Sequence, residues 1–197
     1  MTEPDGATEL DADEKTGLRF KHVTTRGQLD QLEQANIQEG LQWLSRKKHP
    51  EILDEGFIRE LHKRLFGKVW KWAGSFRQTE KNIGVDPRQI PVQLRVLLDD
   101  VRYWAEYRTY SPQEACLRFH HRLVHIHLFP NGNGRHARIL TDMLMSKVFN
   151  DPPLDWSGGH DLQSMGERRQ AYIQALRKAD QRDYSALFEF AGLEGDK

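Results

Sequence analysis

Cysteine is nearly absent from this chain of 197 residues. Cys116 stands alone, which excludes an internal disulfide and a cysteine-built metal knuckle, and it suits a reducing compartment. Long apolar runs are missing as well. No stretch approaches the roughly 20 apolar residues of a membrane helix, and Met1 to Leu18 lacks the basic start and apolar run of a secretory signal. The expected location is the cytoplasm, with no membrane partner. Nor is there an excess of either charge: Lys plus Arg and Asp plus Glu both total 29. No overall field therefore draws the protein onto nucleic acid, no direct nucleic-acid binding is expected, and any phosphate site has to be local. Internal repeats and low-complexity tracts are likewise missing.

What remains is enough chain for one domain with a substantial core. Residues 1–18 carry Glu3, Asp5, Glu9, Asp11, Asp13 and Glu14 with few apolar groups, a composition expected to stay disordered. Residues 19–197 then form the domain. Leu29, Leu32, Ile37, Leu41 and Leu44 recur at helical spacing, as do Phe57, Ile58, Leu61 and Leu65, so two helices are expected. The stretch 73–90 differs, with Gly74, Gly84 and Pro87 around short β-prone pieces, and predicts a hairpin or extended loop.

A third helix is expected from Pro91, burying Leu94, Leu97, Val101 and Trp104. A fourth is announced by Ser111-Pro112-Gln113-Glu114: a Ser cap, a Pro at the first helical position and a Glu three residues beyond the cap. It runs toward His127 and breaks at Phe129 to Gly134. Helix resumes from Arg135 to about Phe149, and two more stretches, Glu167 to Ala179 and Tyr184 to Ala191, complete an all-α domain.

Chemistry concentrates between His127 and Arg138. Gly132 and Gly134 permit positive φ and a close ligand approach, while free N–H groups at the following helix start carry the positive end of its dipole. That is an anion cradle. Arg135 and Arg138, three apart on the first turn, each present a guanidinium fork to phosphate oxygens. His127 arrives at the rim as a side chain able to take a proton near neutral pH, and Asn131 offers a carbonyl oxygen to a magnesium ion bridging phosphates. Taken singly, an Asn-Gly-Asn-Gly is usually an ordinary turn, two arginines at a helix start are usually solvated, and a histidine at a helix end is usually a cap. Their occurrence together within twelve residues, in a workable order, shifts the weight.

This segment resembles the signature of the Fic (Fido) family, in which a histidine and an aromatic precede an acidic or amide residue, Gly-Asn-Gly and two arginines. The resemblance implies that His127 is the base, Phe129 the buried aromatic and Asn131 the metal-facing residue. It further implies that Gly132, Asn133 and Gly134 form the anion hole, and that Arg135 and Arg138 bind phosphate, Arg135 also serving catalysis. Leu128 replaces the usual proline, and Asn131 replaces the commoner carboxylate, removing a negative charge from the metal site.

Trp72 to Arg77 resembles the start of the family's flap, a β-hairpin over 73–90 whose Gly74, Phe76 and Arg77 help hold a target segment as an added strand. A narrower resemblance, through Asn36 to Gly40 and Phe129 to Asn131, is to the bacterial subgroup called mobile mystery protein B.

The implied activity is transfer of AMP from ATP, with Mg2+, to a Ser, Thr or Tyr hydroxyl of an unidentified protein target. Rival readings are transfer of another group (UMP, GMP, phosphocholine, phosphate) and a non-catalytic, partner-regulated module. Intact Gly132 and Gly134 weigh against the kinase version. Homo-oligomerisation is left open.

A brake is implied in the helix expected over 29–45, where Glu39-Gly40 fits the end of the family's inhibitory pattern but Ala35 stands where Ser or Thr belongs. The expected contact is Glu39 with Arg138, and Glu189 is the rival. His121 and His125 have the i, i+4 spacing of zinc ligands, but without a third ligand they weigh as ordinary helix-face residues.

Overall fold

The computed structural model describes residues 10–156 and 167–193. Among them eight α-helices are present: α1 (Ala12–Thr16), α2 (Arg26–Ser45), α3 (Glu55–Phe66), α4 (Ile90–Tyr107), α5 (Pro112–Ile126), α6 (Asn133–Lys147), α7 (Glu167–Asp180) and α8 (Ser185–Phe190). A 3-10 turn, Pro87–Gln89, leads into α4. The all-α expectation holds, and each long helix begins for a local reason. Thr25 and Gln28 close a capping box on α2, and Asp54 accepts the Phe57 N–H on α3. On α5 the Ser111 hydroxyl accepts the Glu114 N–H at 3.2 Å, while the Glu114 carboxylate reaches forward to Arg118 rather than back to the cap.

Helices α5 and α6 occupy the middle; α4 and α8 pack on α5, α3 on α6, and α2 on α3. Their shared core includes Ile58, Leu61, Leu65, Leu94, Leu97, Phe119 and Leu140, none with any exposure. Burial on this scale supplies the main driving force for the fold, each such side chain contributing roughly 1.5–3 kcal/mol.

At two places the described residues differ from the expectation. The first is the acidic tail: residues 1–9 lie outside the described residues, but residues 10–18 are placed. Asp11 and Glu14 form a capping box on α1, both carboxylates pair with Lys81, and Leu18 bridges to Trp70. The Lys81 side chain is only 4% exposed. A buried ammonium needs counter-charge, so these acids are fixed structure rather than a solvated run.

The second is the hairpin, for residues 73–90 contain no strand. The loop is instead closed by one side chain, Arg77, itself only 1% exposed. Its guanidinium donates to the carbonyls of Thr79 (2.9 Å) and Val85, so the backbone groups that would form a ladder are satisfied from inside. Gly84, at φ +107°, turns the chain back toward that guanidinium.

Candidate active site

His127 ends α5 in the left-handed conformation, φ 58° and ψ 68°. Histidine is among the few non-glycine residues found there, at a cost of about 1 kcal/mol. Two contacts hold it: its N–H donates to the Leu123 carbonyl at 3.3 Å, and its own carbonyl accepts from Arg77 Nε at 2.6 Å. The Arg77 backbone N–H also donates to Leu128 at 3.0 Å. Arg77 therefore fixes both the loop it starts and the turn that presents His127. Burial, reinforced by the nearby Arg77 charge, pushes the imidazole down to about 3, while a hydrogen bond with the Val124 backbone acts in the opposite direction. The ring is neutral at physiological pH.

The glycine-rich turn is built from below. Asn133 points inward, its Oδ1 accepting the Phe129 N–H at 2.9 Å and its Nδ2 donating to the Phe129 carbonyl at 2.7 Å. This clasp starts α6 at Asn133 rather than at the Arg135 expected from the sequence. Beneath it His62 stacks on Phe129 with ring centroids 3.7 Å apart. Its Nδ1 accepts the Gly74 N–H, so the proton lies on Nε2, which donates to the Asn131 carbonyl; both bonds are 3.0 Å. Gly132 sits at φ +80°, and a Cβ there would meet the Phe66 ring at 2.7 Å. No side chain caps α6, which leaves the first-turn N–H groups available to a ligand.

The two arginines leave α6 in different directions. Arg135 lies over Phe66 and pairs with Glu33 at 2.6 Å, while the other Glu33 oxygen accepts Trp70 Nε1, also at 2.6 Å. Glu33 is 2% exposed. Arg138 lies over the Tyr172 ring at 5.4 Å, and the Tyr172 hydroxyl shares a hydrogen bond with His120 Nε2 at 2.8 Å. The cradle is thus flanked by one arginine held by α2 and one held by α7.

The Glu39–Arg138 pair expected from the sequence is not formed. Glu39 is solvent-facing and pairs with Lys68, and Gly40 has a packing role: a Cβ there would meet Leu65 at 2.8 Å and the Arg64 carbonyl at 3.0 Å. The Glu-Gly pattern therefore reflects close approach of α2 to α3. Glu189 is exposed and makes no ion pair among the described residues. Asn131 Oδ1 accepts the Gly132 N–H at 2.5 Å, which uses one of its lone pairs internally. His121 and His125 both turn to Asp180 Oδ1, at 2.9 and 3.4 Å.

Of the other flap residues, Phe76 packs against Phe129 with centroids 5.9 Å apart, and Gly74, at φ +83°, binds His62. Sequence reasoning missed Glu33, His62 and Tyr172. Glu33 and His62 fall on helix positions that look like any others. Tyr172 lay in a recognised helix, but its contact with Arg138 has no local signal.

The site thus joins, within one all-helical domain, a buried neutral histidine at the end of α5, an uncapped α6 N-terminus a few residues on, and two arginines on α6. A Fic/DOC family model matches residues 52–145, a little under half of the chain. The protein adenylyltransferase Fic of Drosophila grimshawi is 28% identical over 137 residues, covering 68% of this chain and 26% of that protein, and its namesake from Aedes aegypti matches equally. The chain thus spans about a quarter of the length of these curated relatives. Among solved structures, BepC, a VirB-translocated effector from Bartonella tribocorum with bound AMPPNP, superposes with a TM-score of 0.69 at 19% identity, covering 91% of this chain and 96% of that one. Fic-1 from C. elegans gives 0.63 at 25% identity, covering 90% and 50%.

Proposed function

We propose that this domain transfers AMP from ATP to a hydroxyl side chain of a protein target. The observation that carries the proposal is the placement of neutral His127 beside the uncapped α6 N-terminus, with Arg135 and Arg138 on either side. The relatives named as protein adenylyltransferases and the AMPPNP-bound neighbour favour the same nucleotide.

In this reading the α and β phosphates lie on the N–H groups of Asn133 to Arg135, and Arg138 faces the terminal phosphates. His127 accepts the proton of a Ser, Thr or Tyr hydroxyl. The freed oxygen attacks the α phosphorus in line, the bond to the β-phosphate oxygen breaks, and pyrophosphate leaves. Charge growing on the phosphate oxygens is met by the helix N–H groups and Arg135. The depressed basicity of His127 belongs to the ligand-free cradle, because phosphate anions beside the ring favour its protonated form.

Magnesium fits only as a companion of the nucleotide. Asn131 supplies a single neutral oxygen, so an ion would be held mainly by phosphates, where it would screen their charge. Arg77, with Gly74 and Phe76, shapes the loop that faces the target. The cytoplasm, where ATP is abundant, is the compartment that fits this chemistry.

Glu33 is the candidate brake in place of Glu39, because it already occupies the guanidinium that a phosphate would take. Intact-mass analysis after incubation with ATP and magnesium tests the proposal. The Glu33→Gln protein gains the mass of one AMP, on itself or on an added target, and His127→Ala on the same background does not. A different added mass would replace AMP with another group. No addition, combined with no ATP binding by calorimetry, would reduce the domain to a non-catalytic module.

A further inference from the structure

The described residues expose five large apolar side chains, and four of them lie on α4: Val92, Val96, Tyr103 and Tyr107, 45–61% exposed. The opposite face of α4 carries Leu94, Leu97 and Val101 into the core with no exposure at all. A helix with one buried face needs no apolar groups on the other, and a second stripe of this kind marks a contact surface. Spacings of four along Val92–Val96 and Tyr103–Tyr107, with Asp99 between, keep the stripe on one side of the helix. Tyr103 and Tyr107 already touch, their ring centroids 4.5 Å apart.

The charges beside the stripe indicate the partner. Arg95 and Glu106 border it near opposite ends, and neither makes an ion pair among the described residues. A second α4 laid antiparallel, with the two-fold axis beside Asp99 and Asp100, brings Val96 against Tyr103 and Val92 against Tyr107 of the other copy. The same register sets Arg95 within a turn of the other Glu106, in reach of its long side chain, twice over. The acids nearest the axis are already neutralised within each copy, Asp99 by Arg102 at 2.6 Å and Asp100 by Arg122 at 2.5 Å. A surface that complements itself in both shape and sign is the requirement for an isologous contact.

From this geometry we infer that α4 is a homodimer interface and that its occupant is a second copy of this chain. The contact runs along about 23 Å of helix, which places its area at the small end for protein interfaces, so the dimer forms reversibly. The inference is independent of the transfer chemistry.

Sedimentation equilibrium on the full chain tests it. The mass rises from 23.0 kDa toward twice that value as concentration rises through the micromolar range. Val96→Glu holds the protein at monomer mass, with its helical circular dichroism unchanged. Arg95→Glu and Glu106→Arg, made singly, each set like charges against one another and weaken association by about tenfold or more. Combined in one chain they restore it, a reciprocity that a merely greasy surface would not show. A monomer at every concentration overturns the inference. So does a dimer indifferent to Val96→Glu, or a charge reversal that fails to rescue.

Discussion

Gly132 and Gly134 flank one asparagine, yet the fold makes opposite demands on them. Gly132 combines positive φ with the Phe66 ring 2.7 Å from where a Cβ would sit, so Gly132→Ala should destabilise the domain by about 1–3 kcal/mol in urea unfolding. Gly134 has normal helical φ, and the nearest atom to its Cβ position is Arg138 Nη1 at 3.6 Å. Gly134→Ala should leave stability unchanged or slightly raised, since alanine is the better helix former. ATP affinity measured by calorimetry should still fall, because the methyl group intrudes where phosphate would lie. Unchanged affinity would remove the close backbone approach from the mechanism. At His127, replacement by Ala should lower AMP transfer by on the order of 100-fold or more, with thermal stability little affected; equal turnover would end its role as base. These residues were legible in the sequence because the turn, the helix start and the histidine are contiguous. Their supports were not. Glu33, His62 and Tyr172 come from α2, α3 and α7, and nothing local to those helices distinguishes them from surface or core residues.

At the scale of elements, the loop 73–90 depends on Arg77 and α6 depends on its neighbours. Arg77→Met removes the donor to the carbonyls of His127, Thr79 and Val85 at once. Stranding buried acceptors costs about 1–3 kcal/mol each, so this variant should lose several kcal/mol and become cleavable by protease between residues 78 and 86 before the rest of the chain. A loop as protected as the parent's would show that some other contact closes it. The α2 helix offers a second comparison. Glu33→Gln keeps an oxygen for Trp70 but gives up the charge on Arg135; losing a competing contact of about 1.4 kcal/mol should raise AMP incorporation by about tenfold. Glu39→Gly, on the surface beside Lys68, should do nothing to it. The reverse ranking would return the brake to Glu39.

The whole molecule carries an acid sensitivity that no single element shows. His62, His120 and His136 are almost entirely shut from water and His127 is 4% exposed, and burial lowers all four; His120 and His127 fall to about 3 and His136 to about 4. The unfolded chain would bind protons at these rings near pH 6.5, whereas the folded chain does not. Their contribution is therefore complete above about pH 6.5 and is lost as pH falls toward the folded values. Each ring should cost on the order of 1 kcal/mol per pH unit in that window. Thermal melts from pH 7 to pH 5 should show a steep fall in Tm, shallower in a His136→Gln variant. A flat profile would mean that the rings are reached by water.

The order of helices, their caps and the twelve residues of the cradle were set by the sequence alone, because each rests on contacts within a few positions: a Ser cap with its Pro, apolar spacing, glycines before a helix start. The tertiary structure decided what each charge is for. Whether a glutamate is a brake or a surface residue depends on which cation lies within 3 Å of it, and that is fixed by how α2 lies on α3 and α6. Glu33 and Glu39 share one helix, and packing alone sends one to Arg135 and the other to Lys68. The same holds for the acids at 11 and 14, which composition marks as solvated and a buried Lys81 makes structural. Local pattern determines elements because their hydrogen bonds are local. Partners across the fold are chosen by geometry, which no stretch of sequence contains.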